Sequence, residues 1–233
     1  MPLADIHCHL LPGLDDGARD WGTTEAMLRR DYENGIAKVI ATTHADPTVK
    51  PFPLSKYMEA LEKANELCGE LGLGVTVYPG CEVMYGEGVT ERMLEDGRLP
   101  GLAGTRKALV EFYPDVKYDA VLAALRRLAY IGYTAVLAHI ERYECLYKRY
   151  DRIRELREAG AKTQVNCSTV IKPPGFFAKR YIDTLLSDGL VDYLATDAHS
   201  DNTRRVNMKE AYDTVIARYP DRGHLFEGKE LLS

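Results

Sequence analysis

This 233-residue chain lacks most of what would mark a secreted, membrane-spanning or nucleic-acid-binding protein. Its five cysteines (Cys8, Cys68, Cys81, Cys145 and Cys167) are odd in number and form no C-x-x-C pair. That spacing does not describe a disulfide framework, and it fits a reducing compartment. No apolar run approaches the ~20 residues of a membrane span. The opening residues Met1 to Asp5 are neither basic nor long enough in their apolar stretch for a signal peptide. Positive charge is also in deficit, with 30 lysines and arginines against 35 acids for a net charge of -5. No bulk field therefore draws the chain to nucleic acid or into a membrane, and a cytoplasmic location is expected.

Several catalytic signatures are missing as well. There is no G-x-x-x-x-G-K-[ST], no G-x-G-x-x-G and no H-E-x-x-H. No cysteine has an arginine six positions downstream, so the loop of a cysteine-nucleophile phosphatase is absent. A phosphatase made from this chain would have to use metal-activated water. What remains is an ordinary globular composition, 45% hydrophobic and 28% charged. The length fills one substantial core, so residues 1–233 are expected to form a single domain.

Short β-rich runs at 3–7, 37–43, 75–80, 107–112, 134–138, 162–166 and 191–196 alternate with helical patterns. The helical patterns lie at 23–34, with a cap at Thr23, and at 55–71, 119–131, 150–159, 176–187 and 206–219. Nearly every run ends in a potential metal ligand. His7 and His9 close the first, His44 the second, Glu82 the third, Glu111 the fourth, His139 the fifth, and Asp197 with His199 the seventh. An open sheet cannot easily bring six strand ends to one point, whereas the rim of a barrel does. An α/β barrel with a polynuclear metal site is the resulting expectation. The tail from Gly223 to Ser233 carries Leu225, Phe226, Leu231 and Leu232 and is expected to pack on the barrel exterior.

His7 and His9 share one strand face, which turns Cys8 to the opposite face and the core. Asp15-Asp16 follows a turn, and each acid reads as a helix cap or turn residue as readily as a ligand. Glu82 and Glu111 end strongly apolar runs, where an uncompensated charge is expensive. Arg142 lies three residues after His139, and Arg204-Arg205 follow His199. A guanidinium fork matches two phosphate oxygens, although Arg204 and Arg205 could equally be solvated surface charges.

The residues Asp5-Ile6-His7-Cys8-His9, Leu14-Asp15-Asp16-Gly17, Ala41-Thr42-Thr43-His44, Gly80-Cys81-Glu82, Leu109-Val110-Glu111-Phe112, Ala138-His139-Ile140-Glu141-Arg142 and Thr196-Asp197-Ala198-His199 resemble the PHP superfamily. Its members are metal-dependent phosphoesterases on a distorted (β/α)7 barrel similar to a TIM barrel. Within it, the chain resembles the bacterial tyrosine-protein phosphatases encoded with capsule and exopolysaccharide genes, over essentially its whole length. The resemblance implies three divalent cations, manganese above all, with iron or zinc compatible with the donors. One would take His7, His9, Glu82 and Asp197, a second Asp16, His44 and His199, and a third Glu82, Glu111 and His139. Arg142 and Arg204 would bind phosphate. The implied partner is a phosphotyrosine-bearing protein, the tail of a bacterial tyrosine autokinase, and assembly into a homo-oligomer is compatible with it. A small-molecule phosphatase such as a histidinol-phosphatase, and a non-catalytic metal-binding regulatory module, are the alternatives. His44 and His199 are the candidate proton donors to the leaving group. The loop Ala45 to Pro51 after His44 offers few basic or aromatic side chains to grip a peptide.

Overall fold

Each of the seven apolar runs forms a strand of one all-parallel sheet in the computed structural model, which describes residues 3–232. The strands are β1 (Leu3–Cys8), β2 (Ile36–Ala45), β3 (Thr76–Met84), β4 (Lys107–Glu111), β5 (Thr134–Leu137), β6 (Lys162–Asn166) and β7 (Tyr193–Ala195), paired in chain order. Just past β7, Asp197 N donates to His7 O at 2.8 Å and His9 N donates to Ala198 O at 2.8 Å. These bonds bring the last strand back to the first and nearly close an α/β barrel of the expected type.

Among the described residues seven helices separate the strands and an eighth follows the last: α1 (Trp21–Glu33), α2 (Leu54–Glu70), α3 (Val89–Glu95), α4 (Tyr118–Tyr130), α5 (Tyr150–Glu158), α6 (Cys167–Ile171), α7 (Phe176–Ser187) and α8 (Met208–Ile216). In α4 the spacing of Val121, Ala124, Leu125 and Leu128 lays one buried stripe on the sheet. The cap of α1 is Asp20, not Thr23: its carboxylate accepts from both Thr23 N and Thr23 Oγ1 at 2.8 Å. Helices α3 and α6, of 7 and 5 residues, carried no signal because they are too short to display a 3.6-residue period.

Strands β2 and β3 run further than expected and pair His44 directly with Glu82. Both donors therefore sit inside the upper ends of long strands. Inward-facing Ala4, Ile6, Ile40, Leu109, Val136, Tyr193 and Ala195 form the barrel interior. Gly80 belongs to that layer, where a Cβ would come within 2.6 Å of Ile40 Cγ2. Strict alternation fails in β1, where Ile6 faces the interior and Cys8 the outer core, and the pairing with β2 shifts register between Asp5 and Cys8.

The C-terminal expectation needs correction. Leu225 and Phe226 do join the outer core, but Leu231 and Leu232 pack with Ala4, Ile6 and Ile40 in the inner cluster. Lys107 Nζ donates to Glu230 O at 2.9 Å and holds that tail in place. The barrel interior had unfilled apolar volume at the end where the strands begin, and two leucines fill it.

Candidate metal centre

His7 and His9 leave β1 with their rings turned inward and their outer nitrogens occupied. His7 Nδ1 stands 3.2 Å from Gln164 Oε1, and His9 Nδ1 stands 2.8 Å from Asp15 Oδ2. Both partners can only accept, so each Nδ1 carries the proton and each Nε2 keeps a lone pair. Those two Nε2 atoms face one another at 3.1 Å. Glu82 Oε2 lies 3.0 Å from the first and 3.2 Å from the second, and Asp197 Oδ1 lies 3.4 and 3.6 Å away. Four electron-rich atoms thus surround one point in a fully buried pocket.

A divalent cation fits that arrangement. Donors about 2.1 Å from a tetrahedral ion stand roughly 3.4 Å from each other, close to the edges of this cage. Glu82 Oε2 is buried without a hydrogen-bond partner, although a third imidazole nitrogen, His44 Nδ1, also comes within 3.2 Å. A proton can bridge one edge of such a cage; a cation satisfies all of its donors at once. The metal-free electrostatics carry the same demand. Burial would push His9 down, but the carboxylates of Asp15 and Glu82 raise it to about 9. Burial likewise opposes the charge on His44, and Glu111 and Glu82 still lift it to about 9. Glu82 overcomes full burial to lie well below the usual carboxylate range because His7, His139 and His9 crowd it.

Two more donor groups overlap the first. Asp16 Oδ1 lies 3.5 Å from His44 Nε2 and 3.4 Å from His199 Nε2. His199 Nδ1 donates to Asp197 O at 3.0 Å, which leaves its Nε2 bare and without a partner. Burial, His9 and Arg204 push His199 down to about 4, which keeps the imidazole neutral and its Nε2 a lone-pair donor. On the other side of Glu82, His139 Nε2 stands 2.8 Å from Glu82 Oε1 and 3.6 Å from Glu111 Oε2. His44 Nδ1 approaches the same acids, 3.1 Å from Glu111 Oε1. A neutral imidazole has one lone pair, so with Nε2 serving the Asp16 group its Nδ1–H donates to Glu111 Oε1. Glu82 touches two of the groups through different oxygens.

The backbone is bent to aim these donors. His139 and Asp197 adopt φ of 31° and 51°, a left-handed conformation costly for residues with a Cβ. Gly17 passes so close to His9 that a Cβ there would overlap the His9 backbone and lie 2.6 Å from its Cβ. That approach keeps the Asp15 turn folded over the ring.

All nine expected donors, His7, His9, Asp16, His44, Glu82, Glu111, His139, Asp197 and His199, meet at this one mouth of the barrel. Arg142 and Arg204 come with them. Their NH2 groups donate to Asp197 Oδ2 at 2.8 Å and Oδ1 at 3.0 Å, and both side chains stay nearly half exposed. Arg205 instead lies on the surface, 3.8 Å from Glu210. Cys8 faces the outer core, and burial raises all five thiols, so none is a ready thiolate nucleophile.

Strand β6 supplies no imidazole or carboxylate, and its part in the site is played by neutral amides. Gln164 Oε1 accepts from His7 Nδ1 and from His139 N, the latter at 2.8 Å. Its amide nitrogen donates to Asn166 Oδ1 at 2.8 Å, and Asn166 Nδ2 donates to Asp197 Oδ2 at 2.8 Å. Asp15, which reads from sequence as a cap or turn residue as readily as a ligand, orients His9 and accepts from His44 N at 2.8 Å. The signal for β6 was two carboxamides at i and i+2 on an inward face.

A family model described as capsular polysaccharide synthesis, CpsB/CapC, matches residues 3–224. Tyrosine-protein phosphatase CpsB of Streptococcus pneumoniae is 31% identical over 222 residues, 93% of this chain and 91% of its own. Tyrosine-protein phosphatase YwqE of Bacillus subtilis is 31% identical, over 90% of this chain and 82% of its own. A crystal structure from work on YwqE and CpsB, described as metal-dependent tyrosine phosphatases, superposes with a TM-score of 0.87 at 30% identity, covering 99% of this chain and 94% of that one. A histidinol phosphate phosphatase from Lactococcus lactis shares the fold at 12% identity and a TM-score of 0.57, covering 93% of each chain.

Proposed function

The chain belongs to the CpsB/CapC family of capsular polysaccharide synthesis proteins, and on that premise we propose that it is a metal-dependent tyrosine-protein phosphatase. The observation that carries this reading is the buried cage of His7 Nε2, His9 Nε2, Glu82 Oε2 and Asp197 Oδ1, four donors around one point. These residues would hold one cation, Asp16, His44 and His199 a second, and Glu82, Glu111 and His139 a third. Imidazoles and carboxylates without a thiolate suit manganese, and they accept iron and zinc too.

Divalent cations bound there supply Lewis-acid charge, which makes water nucleophilic near neutral pH and offsets the charge of a phosphoryl group. The protein's own contribution is placement. Asp197 holds both Arg142 and Arg204 by one amine each, and Arg204 NH1 also lies 3.7 Å from Asp16 Oδ2, so both guanidinium forks stand at the donor groups with further N–H groups to donate to phosphoryl oxygens. Gln164 and Asp15 keep the tautomers of His7 and His9 that bare their inward nitrogens. A phenolate leaves with a pKa near ~10, so its departure depends less on a proton donor than that of an alkoxide from an alkyl phosphate.

The partner is a phosphotyrosine-bearing protein, a bacterial tyrosine autokinase tail in the finer reading. Five free cysteines accord with a cytoplasmic setting, and no described helix is long and apolar enough to cross a membrane. Turnover of a phosphotyrosyl peptide, a phosphoseryl peptide and histidinol phosphate by manganese-loaded protein tests the assignment. Preference for the phosphotyrosyl peptide is expected; preference for histidinol phosphate, or inertness toward all three, would refute it. Arg142→Ala should retain its metals and lose about 100-fold in kcat/KM on phosphate esters, as removal of one transition-state donor does. Wild-type kinetics in that variant would remove Arg142 from phosphate binding.

A further inference from the structure

The loop after His44 offers little with which to hold a polypeptide, yet the opposite side of the rim is aromatic and basic. In a βα barrel the first residues of each helix lie on the rim where the strands end. Phe176 and Phe177 open α7 there, 73% and 65% exposed, with their rings edge-on 5.7 Å apart. Tyr147 and Lys148 precede α5 on the same rim, in the connection that also carries Arg142. Lys148 joins the two segments, its Nζ 5.1 Å from the centre of the Tyr147 ring and 4.7 Å from that of Phe177. It does so at a φ of 58°, within the tight turn that Arg149 N closes on Leu146 O at 3.0 Å. Tyr181 anchors the group from below, 5.0 Å from Tyr147 ring to ring and donating to Leu146 O at 3.2 Å.

The charge of this surface is as telling as its apolarity. Lys148, Lys172 and Arg180 have no carboxylate within 4.0 Å among the described residues, whereas the neighbouring Arg149 and Lys179 pair with Asp151 and Asp183. A chain of net charge -5 thus leaves Lys148 without an acidic partner beside exposed Phe177, in the same connection as half-exposed Arg142. Two exposed aromatic rings call for an apolar or aromatic partner side chain, and the free cations for an acidic one.

We propose that Tyr147, Lys148, Lys172, Phe176, Phe177 and Arg180 form a docking surface for the acidic, aromatic-bearing polypeptide segment that flanks the phosphotyrosine. The proposal rests on the phosphatase reading and deepens it. A segment lying across this patch delivers its phosphate toward Arg142 along one connected stretch of rim. The surface touches no reacting atom, so it contributes affinity for the substrate protein and not to the chemical step.

The test compares wild type, Phe176→Ser/Phe177→Ser and Lys148→Glu on two substrates, p-nitrophenyl phosphate and a phosphotyrosyl peptide with acidic and aromatic flanks. Both variants are expected to raise the peptide KM about fivefold to tenfold with kcat unchanged, and to keep wild-type kinetics on p-nitrophenyl phosphate. Unaltered peptide KM in variants that hydrolyse p-nitrophenyl phosphate normally would overturn the docking surface alone. Equal losses on both substrates would also overturn it, because the patch would then be acting on the centre itself. Sedimentation with phosphatidylglycerol vesicles that the variants abolish, with peptide KM unmoved, would replace the peptide by an anionic bilayer. Wild type inert toward p-nitrophenyl phosphate would instead sink the phosphatase reading.

Discussion

Two imidazoles that turn bare nitrogens toward each other need positive charge between them, and everything around His7 and His9 enforces that confrontation. Gln164 and Asp15 hold the outer protons, so neither ring can flip its tautomer without leaving a buried acceptor unmatched. Gln164→Leu removes the acceptor for His7 Nδ1 and for His139 N together. Metal affinity should fall about 10- to 100-fold, read by titration with manganese, and Gln164→Glu, which keeps the acceptor oxygen, should recover most of it. Undiminished affinity in the leucine variant would deny Gln164 its orienting part. At this scale the ionisable donors were legible, because histidine and carboxylate ending an apolar run are conspicuous. Gln164 and Asn166 were not, because a neutral amide in a strand carries no such mark until its two ends are seen to bridge other donors.

Among the elements, the strands were easier to read than what joins them. Apolar runs mark seven strands in their places, but His44 and Glu82, which close the apolar pattern, are inward positions of longer strands. A polar residue in an inward layer ends the apolar pattern without ending the strand. Helix α1 holds a second lesson. Asp31 lies on its buried face with both carboxylate oxygens buried and unpartnered. Burial, and then the nearby Asp5, push its carboxyl well above the usual range. The unfolded chain ionises it above about pH 4, while the folded chain holds it neutral, so folding takes up a proton. Stability from this group is therefore fullest at acid pH and declines as pH rises toward the folded value. Asp31→Asn, which cannot ionise, should stabilise the protein by about 1–3 kcal/mol near pH 7.5 and less at pH 4.5, measured by urea unfolding. A benefit that shrinks with rising pH would contradict this account.

On the scale of the whole molecule, the barrel separates what holds it together from what it does. Chemistry gathers where the strands end; apolar packing fills the opposite end, finished by Leu231 and Leu232. The sequence pattern showed the tail to be apolar but not which surface it covers, since that depends on the volume the barrel leaves unfilled. Leu231→Ala should cost about 2–4 kcal/mol of stability while leaving metal content unchanged, and a variant that lost metal in proportion would show the two ends to be coupled.

The central claim is that three donor groups, two of them sharing Glu82, cage divalent cations at the barrel mouth. Elemental analysis of manganese-loaded wild type beside the isosteric Glu82→Gln tests it most directly. Three cations per chain in the wild type and a clear loss in the variant are the predicted result. Equal metal content in the two proteins, or none in either, would contradict it.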